Sequence, residues 1–149
     1  MKSLASVEDR AEIRDRLRQV RVDDKGRWGK MTAKQMMRHL RCAYEVALEE
    51  RTVGPLKGLP PVVMKWVALR SGLPWPRNIQ TTPELKRAIR ENSDTEFDML
   101  VRQTIDKIEA LASGVSCAPS HPMFGPMTAK DWLRWGYLHA NHHLRQFGR

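Results

Sequence analysis

The chain has 149 residues, with 26 Lys and Arg against 17 Asp and Glu, a net charge of +9. That length supports a single domain built around one core and leaves no room for a second. No apolar run approaches the roughly 20 residues of a membrane span, MKSLASVEDRAEIRDR turns charged before a signal-peptide core can form, and two cysteines make no disulfide framework. A soluble cytoplasmic protein with Cys42 and Cys117 as free thiols is therefore expected.

Apolar residues recur at three and four positions while β-branched alternation of period two is absent, so the chain reads as all-α. The first helix is expected from Val7 to Val20, entered through Ser6 with Asp9 completing a capping box. Along it Arg10, Arg14, Arg18 and Arg21 fall within about 80° of one another, beside the apolar positions Ile13, Leu17 and Val20. Such a stripe, with the net charge, raises a polyanion partner. Against it stand Glu8, Asp9, Glu12 and Asp15 on the same segment, and no helix-turn-helix, zinc-finger or RNA-recognition signature occurs. A nucleic acid partner is not expected.

A second helix is expected from Ala33 to Glu50, with Thr32 and Gln35 as its capping box and Met36, Met37, Leu40, Ala43, Tyr44, Ala47 and Leu48 as its buried stripe. From Arg51 to Asn92 prolines and glycines break the pattern into a long connection carrying short helices at Val62 to Arg70 and Pro83 to Glu91. A third long helix is expected from Asp94 to Ser113, boxed by Ser93 and Glu96, with Phe97, Leu100, Val101, Thr104, Ile108 and Leu111 inward and Gly114 ending it. The last runs from Ala129 to Phe147 behind Thr128. Four long helices with one long middle link describe a four-helix bundle, up-down-down-up. Trp28-Gly-Lys-Met-Thr-Ala-Lys34 also echoes Phe124-Gly-Pro-Met-Thr-Ala-Lys130, so the second and fourth long helices are entered by the same capping chemistry.

Three of the five histidines lie in the closing LHANHHLRQFGR. On the last helix, the apolar arc is set by Trp132, Gly136, Ala140, Leu144 and Phe147, and His139 and His143 fall on its border while His142 lies on the flank beside Trp135. Imidazoles four residues apart are neighbours, about 5 to 6 Å between Cβ atoms, close enough to share one metal. Hydrogen-bonded core histidines are the competing account. A third candidate is His39, at the edge of the second helix's stripe. At about 1.5 Å per residue it reaches the level of His139 and His143 only if the second and last helices are antiparallel, as the long connection permits. His121 sits in a loop, where Cys117 gives it a C-x3-H pair without a second half. No E-x-x-H, H-E-x-x-H, G-x-S-x-G or phosphate-binding glycine loop occurs.

The stretches WGKMTAKQMMRHL and HPMFG…W…LHANHHLRQFG, with one histidine on the second helix and H-x-x-x-H on the last, resemble the DinB-like (DinB/YfiT) superfamily, in a bacterial branch carried as a domain of unknown function. The resemblance covers nearly the whole chain, and HHLRQFG is its most specific part. It implies a divalent metal, zinc or nickel first and iron or copper as alternatives, bound at His39, His139 and His143. It also implies a small-molecule substrate and a thiol-dependent transferase, using a low-molecular-weight thiol, or a hydrolase. A homodimer is compatible with it; a membrane is not part of it. Glu45 projects away from the histidines, so no general base is assigned, and His142, Tyr44 and Trp135 are the side chains nearest to the expected site. Two rival readings are a metal-free helical interaction or dimerisation module and a polyanion-binding protein using the arginine stripe.

Overall fold

The computed structural model describes residues 1–56, 60–91, 95–114 and 116–149. Among them are six helices: α1 (Val7–Arg18), α2 (Ala33–Ala47), α3 (Pro61–Arg70), α4 (Pro83–Arg90), α5 (Phe97–Ala112) and α6 (Ala129–Gln146). The protein is mostly helical, as the periodicity predicts. A two-stranded antiparallel sheet, β1 (Ser120–His121) and β2 (Gly125–Pro126), precedes α6 and corrects the all-α expectation. With two residues per strand it carries no alternation that could announce it; what closes it is a turn reaching Gly125 at φ +65°, a conformation suited to glycine. No described helix is long and apolar enough to cross a membrane.

The ends of the elements follow their caps. Thr32 accepts from the Gln35 amide and Thr128 from the Asp131 amide, and both boxes are reciprocal, with the residue-three side chain returning to the cap backbone. The echoed turns that lead into them also match: Gly29 and Gly125 both have positive φ, and an antiparallel bridge closes each turn, Lys25 to Thr32 and Ser120 to Pro126. Ser6 caps α1 by accepting from the Asp9 amide, but the reciprocal half is missing. Asp9 instead accepts from the Ser3 amide at 2.9 Å and pairs with Lys2 at 2.9 Å. The expected box of Ser93 and start at Asp94 lie outside the described residues; α5 begins at Phe97 with Glu96 at its cap and no side-chain cap bond.

Residues from α1, α2, α5 and α6 share the main core, in which Ile13, Leu17, Met36, Met37, Leu40, Tyr44, Leu100, Ile108, Leu111, Trp132 and Leu144 are fully buried. The expected stripes of α2 and α5 are all buried save Phe97, which is partly so. Polar contacts register the helices. Tyr44 on α2 donates to the Gly136 carbonyl on α6 at 2.7 Å, and the Thr104 hydroxyl on α5 lies 3.3 Å from the Met37 carbonyl on α2. Ahead of α1 the Leu4 amide reaches the Leu133 carbonyl at 3.1 Å, and Tyr137 on α6 meets Glu12 on α1 at 3.1 Å.

The long connection is tied down at two places. Arg38, buried on α2, donates to the Ile89 and Glu91 carbonyls at the end of α4. Asp131, 3% exposed at the start of α6, takes Lys65 at 2.7 Å and Arg70 at 3.1 Å, both from α3. Burial alone would raise the Asp131 carboxyl, but hydrogen bonds from Lys65, Thr128 and Arg70 outweigh it and hold it well below the usual carboxylate range. So one carboxylate caps α6 and clamps α3. The arginine stripe of α1 is largely neutralised in place, with Arg10 and Arg14 facing Glu109, Arg18 facing Asp15 and Arg21 facing Asp23.

Gly136 marks a close approach of Leu4, Tyr44 and Leu111 to the backbone of α6. A Cβ there would lie 2.6 Å from Leu4 Cδ1, 3.3 Å from Tyr44 Cε1 and 3.4 Å from Leu111 Cδ2, in a fully buried setting. Gly136→Ala is expected to destabilise the protein by about 1 to 3 kcal/mol despite the helix preference for alanine, because overpacking outweighs propensity. Urea unfolding of the two proteins measures it, and an unchanged or raised midpoint would contradict this packing.

Candidate metal centre

His39 from α2 and His139 and His143 from α6 converge, each at least nine-tenths buried, with ligand-capable atoms all within 4.8 Å of one another. Their ring centroids are 4.7 to 5.0 Å apart. The antiparallel condition that the sequence placed on His39 is met locally: His39 stands beside His139, and Tyr44, one turn further along α2, reaches back to Gly136. Nε2 of His39 lies 3.0 Å from Nε2 of His139. Two nitrogens at this distance are held together either by one shared proton or by a common cation, and nitrogens in a tetrahedral shell at about 2.0 to 2.1 Å from zinc sit only slightly farther apart, about 3.4 Å.

Burial sets the charge state of the cluster. Desolvation pushes His39 down to about 4, with His142 adding to the effect, and it drives His139 and His143 well below 6.5, each further lowered by its histidine neighbours. All three are neutral at pH 7, the form that ligates a metal. Nδ1 of His39 and Nδ1 of His139 are buried without a hydrogen-bond partner, so beyond the contact between their Nε2 atoms these two rings are left half-satisfied, unlike fully hydrogen-bonded core histidines.

His143 is oriented by a residue that the sequence reading passed over. Its Nδ1 lies 2.8 Å from Oε1 of Gln146, one turn further along α6. The Gln146 amide donates from Nε2 to the Trp28 carbonyl at 2.8 Å, which turns Oε1 toward the ring and makes His143 Nδ1 the donor. Nε2 of His143 is then the unprotonated nitrogen. The Gln146 backbone carbonyl accepts from the Arg27 amide at 2.7 Å, and Gly29, at φ +78°, leaves room for the side chain, since a Cβ there would come within 2.6 Å of Nε2. The three-residue spacing from His143 was the available signal for Gln146.

Aromatic rings enclose the cluster. Trp135 is buried with its ring 4.8 Å from His139, and Tyr44 meets Trp135 edge-on at 5.7 Å. Trp75, from the proline-rich connection, lies 5.9 Å from His139 and 6.0 Å from His142 and donates its Nε1 proton to the Ala68 carbonyl at 2.9 Å. His142 is half-buried on the flank, as its wheel position predicts, between Trp75 and Trp28. His121 stays outside the cluster: it stacks on Phe124 at 4.3 Å, accepts from the Met123 amide through Nδ1, and burial pushes it down to about 3. Glu45 pairs with Arg41 and Arg51, away from the histidines.

These features define a mostly helical protein with three buried histidines that can hold one metal ion. The chain belongs to the family described as "Protein of unknown function (DUF1569)", whose model matches residues 3–149. A stretch of 47 residues is 40% identical to the Pseudouridine-5'-phosphate glycosidase of Lysinibacillus sphaericus (strain C3-41), covering 32% of this chain and 16% of that protein. The chain thus spans a small fraction of that relative. No solved structure matches.

Acid should destabilise the metal-free protein through this cluster. Above about pH 6.5 the histidines are neutral folded or unfolded and no proton uptake favours either state. As pH falls toward 4 the unfolded chain takes up protons that folded His39 refuses, so stability declines across that window, by roughly 3 kcal/mol from His39 alone. Urea midpoints between pH 7 and pH 4.5 should fall more steeply in the native protein than in His39→Gln. Parallel declines would remove His39 from the account.

Proposed function

We propose that the protein is a DinB-like metal-dependent enzyme that binds one divalent ion through His39, His139 and His143. The observation that carries the reading is the convergence of three buried, neutral imidazoles, with two Nε2 atoms 3.0 Å apart and two Nδ1 atoms lacking partners. Three protein ligands with room for a fourth group is the pattern of catalytic rather than structural zinc. On this reading α1, α2, α5 and α6 form an up-down-down-up bundle. Support comes from the opposed stepping of α2 against α6, through His39 with His139 and Tyr44 with Gly136, and from the matched stepping beside α1, through Leu4 with Leu133, Glu12 with Tyr137 and Arg16 with Arg149.

Zinc or nickel suits three imidazoles, and iron or copper is compatible with them. A divalent ion held there supplies Lewis acidity, which polarises a substrate carbonyl or acidifies a thiol or water. The chain's own contribution is positional. Gln146 fixes the His143 tautomer, Trp135 and Tyr44 hold the floor, and Trp75 and Trp135 exclude water from the ring faces. The reaction class proposed is transfer to or from a low-molecular-weight thiol, or hydrolysis, of a small molecule, in a soluble cytoplasmic protein.

A second reading, an interaction or dimerisation module, draws on one observation. Val62, Val63, Trp66 and Val67 expose an apolar face on α3, each at least 41% exposed. The polyanion reading gains nothing from α1, whose arginines face carboxylates.

Untagged protein stripped with a chelator and titrated with zinc or nickel by calorimetry should take up one equivalent. His39→Ala and His143→Ala should abolish that uptake. Gln146→Leu should retain it with affinity lowered by about 10- to 100-fold, as expected for loss of a group that orients a ligand. Uptake below stoichiometry that is unchanged in His39→Ala would sink the metal reading.

A further inference from the structure

Beside the histidine cluster, between the connection and α6, lies a pocket of about 290 Å³. Leu73, Pro74 and Trp75 form one wall; Asn141, His142 and Arg145 form the other. It shares two walls with the metal centre. Trp75 lies 5.9 Å from His139, and His142 lies 5.2 Å from His143. Its volume is at the low end of ligand pockets, the size of a small organic molecule.

The two walls differ in chemistry. The connection side is apolar and includes a flat indole, while the α6 side ends in a guanidinium. Among the described residues no carboxylate lies within ion-pair distance of Arg145, whereas Arg10, Arg14 and Arg18 on α1 each face an acid. A second cation stands near the rim, where Arg77 stacks on Trp28 at 4.7 Å and Trp28 in turn touches His142 at 5.9 Å. Arg145 and Arg77 thus place two cations around the mouth. A basic residue in the last turn of a helix also suits the helix dipole, which would make Arg145 a stabiliser of α6. That role would not explain why it borders a pocket opposite an indole.

We propose that this pocket is the substrate site and takes a small organic anion, its carboxylate or phosphate on Arg145 and Asn141 and its apolar body on Trp75. A guanidinium suits either anion because its planar fork can donate two hydrogen bonds at once. The substrate role rests on the metal reading, since the pocket is linked to the three histidines through Trp75 and His142, the side chains that touch His139 and His143.

The test uses the full-length protein reloaded with zinc and titrated calorimetrically with 3-phenylpropionate, phenyl phosphate and neutral 3-phenylpropionamide. The acid or the phosphate ester should bind at least about tenfold more tightly than the amide. Arg145→Gln should erase that preference while zinc stoichiometry and the melting temperature stay unchanged; Trp75→Ala should weaken all three ligands. Whichever anion is preferred identifies the head group. Equal binding of acid and amide, or a preference that survives Arg145→Gln, overturns the proposal, as does a fall in melting temperature that accounts for the lost binding. Zinc uptake is measured separately, so one equivalent of zinc with no anion preference overturns the pocket and leaves the metal reading standing. An Arg145-dependent preference in protein that takes up no zinc overturns the metal reading and the substrate role together.

Discussion

Neutral imidazoles buried in the interior are expensive to protonate and awkward to satisfy, and the arrangement of this protein follows from that constraint. His39, His139 and His143 bring six ring nitrogens into the interior, and the protein meets their demands unevenly. Gln146 answers one nitrogen of His143, while the Nδ1 atoms of His39 and His139 go without. An interior built only for packing would replace such rings with leucine or phenylalanine, which bury as well and ask for nothing. Their retention in a well-packed core, flanked by Trp132, Trp135 and Leu144, is the physical argument for a chelating role.

Support for the cluster comes from unusually distant parts of the chain. The floor is Tyr44, locked to the Gly136 carbonyl, where only a glycine lets α6 approach Leu4 and Leu111 so closely. The wall is Trp75, held in place because α3 is moored to Asp131 through Lys65 and Arg70. Asp131 serves two structures with one side chain, and its burial strengthens both attachments by removing competing water.

What the sequence revealed depended on whether a feature is periodic. The stripes of α2 and α5 and the boxes at Thr32 and Thr128 are local patterns, and they were legible together with the inward face of His139 and His143. His39 was reachable by comparing heights along two helices, since rise per residue is fixed. The reciprocal box at Ser6 failed because Lys2 and Ser3 claim Asp9 from outside the helix, a competition no window around the cap displays. The helices expected to reach Val20 and Glu50 end short of them: Gln19 keeps a helical backbone but its N–H tightens onto the Arg16 carbonyl, and Leu48 leaves helical geometry. Trp75 and the sheet before α6 sit in aperiodic stretches, so neither the pocket wall nor the strands had a signature.

The Gln146 bridge has a further meaning for how the molecule comes together. Its side chain links His143 to the Trp28 carbonyl, and its backbone accepts from Arg27, which joins segments more than a hundred residues apart. Contacts of such separation carry a loop-closure entropy that local helical contacts do not. The orientation of His143 therefore depends on the meeting of the loop before α2 with the end of α6. A chain in which that contact is open holds His39, His139 and His143 without the group that orients the third ring.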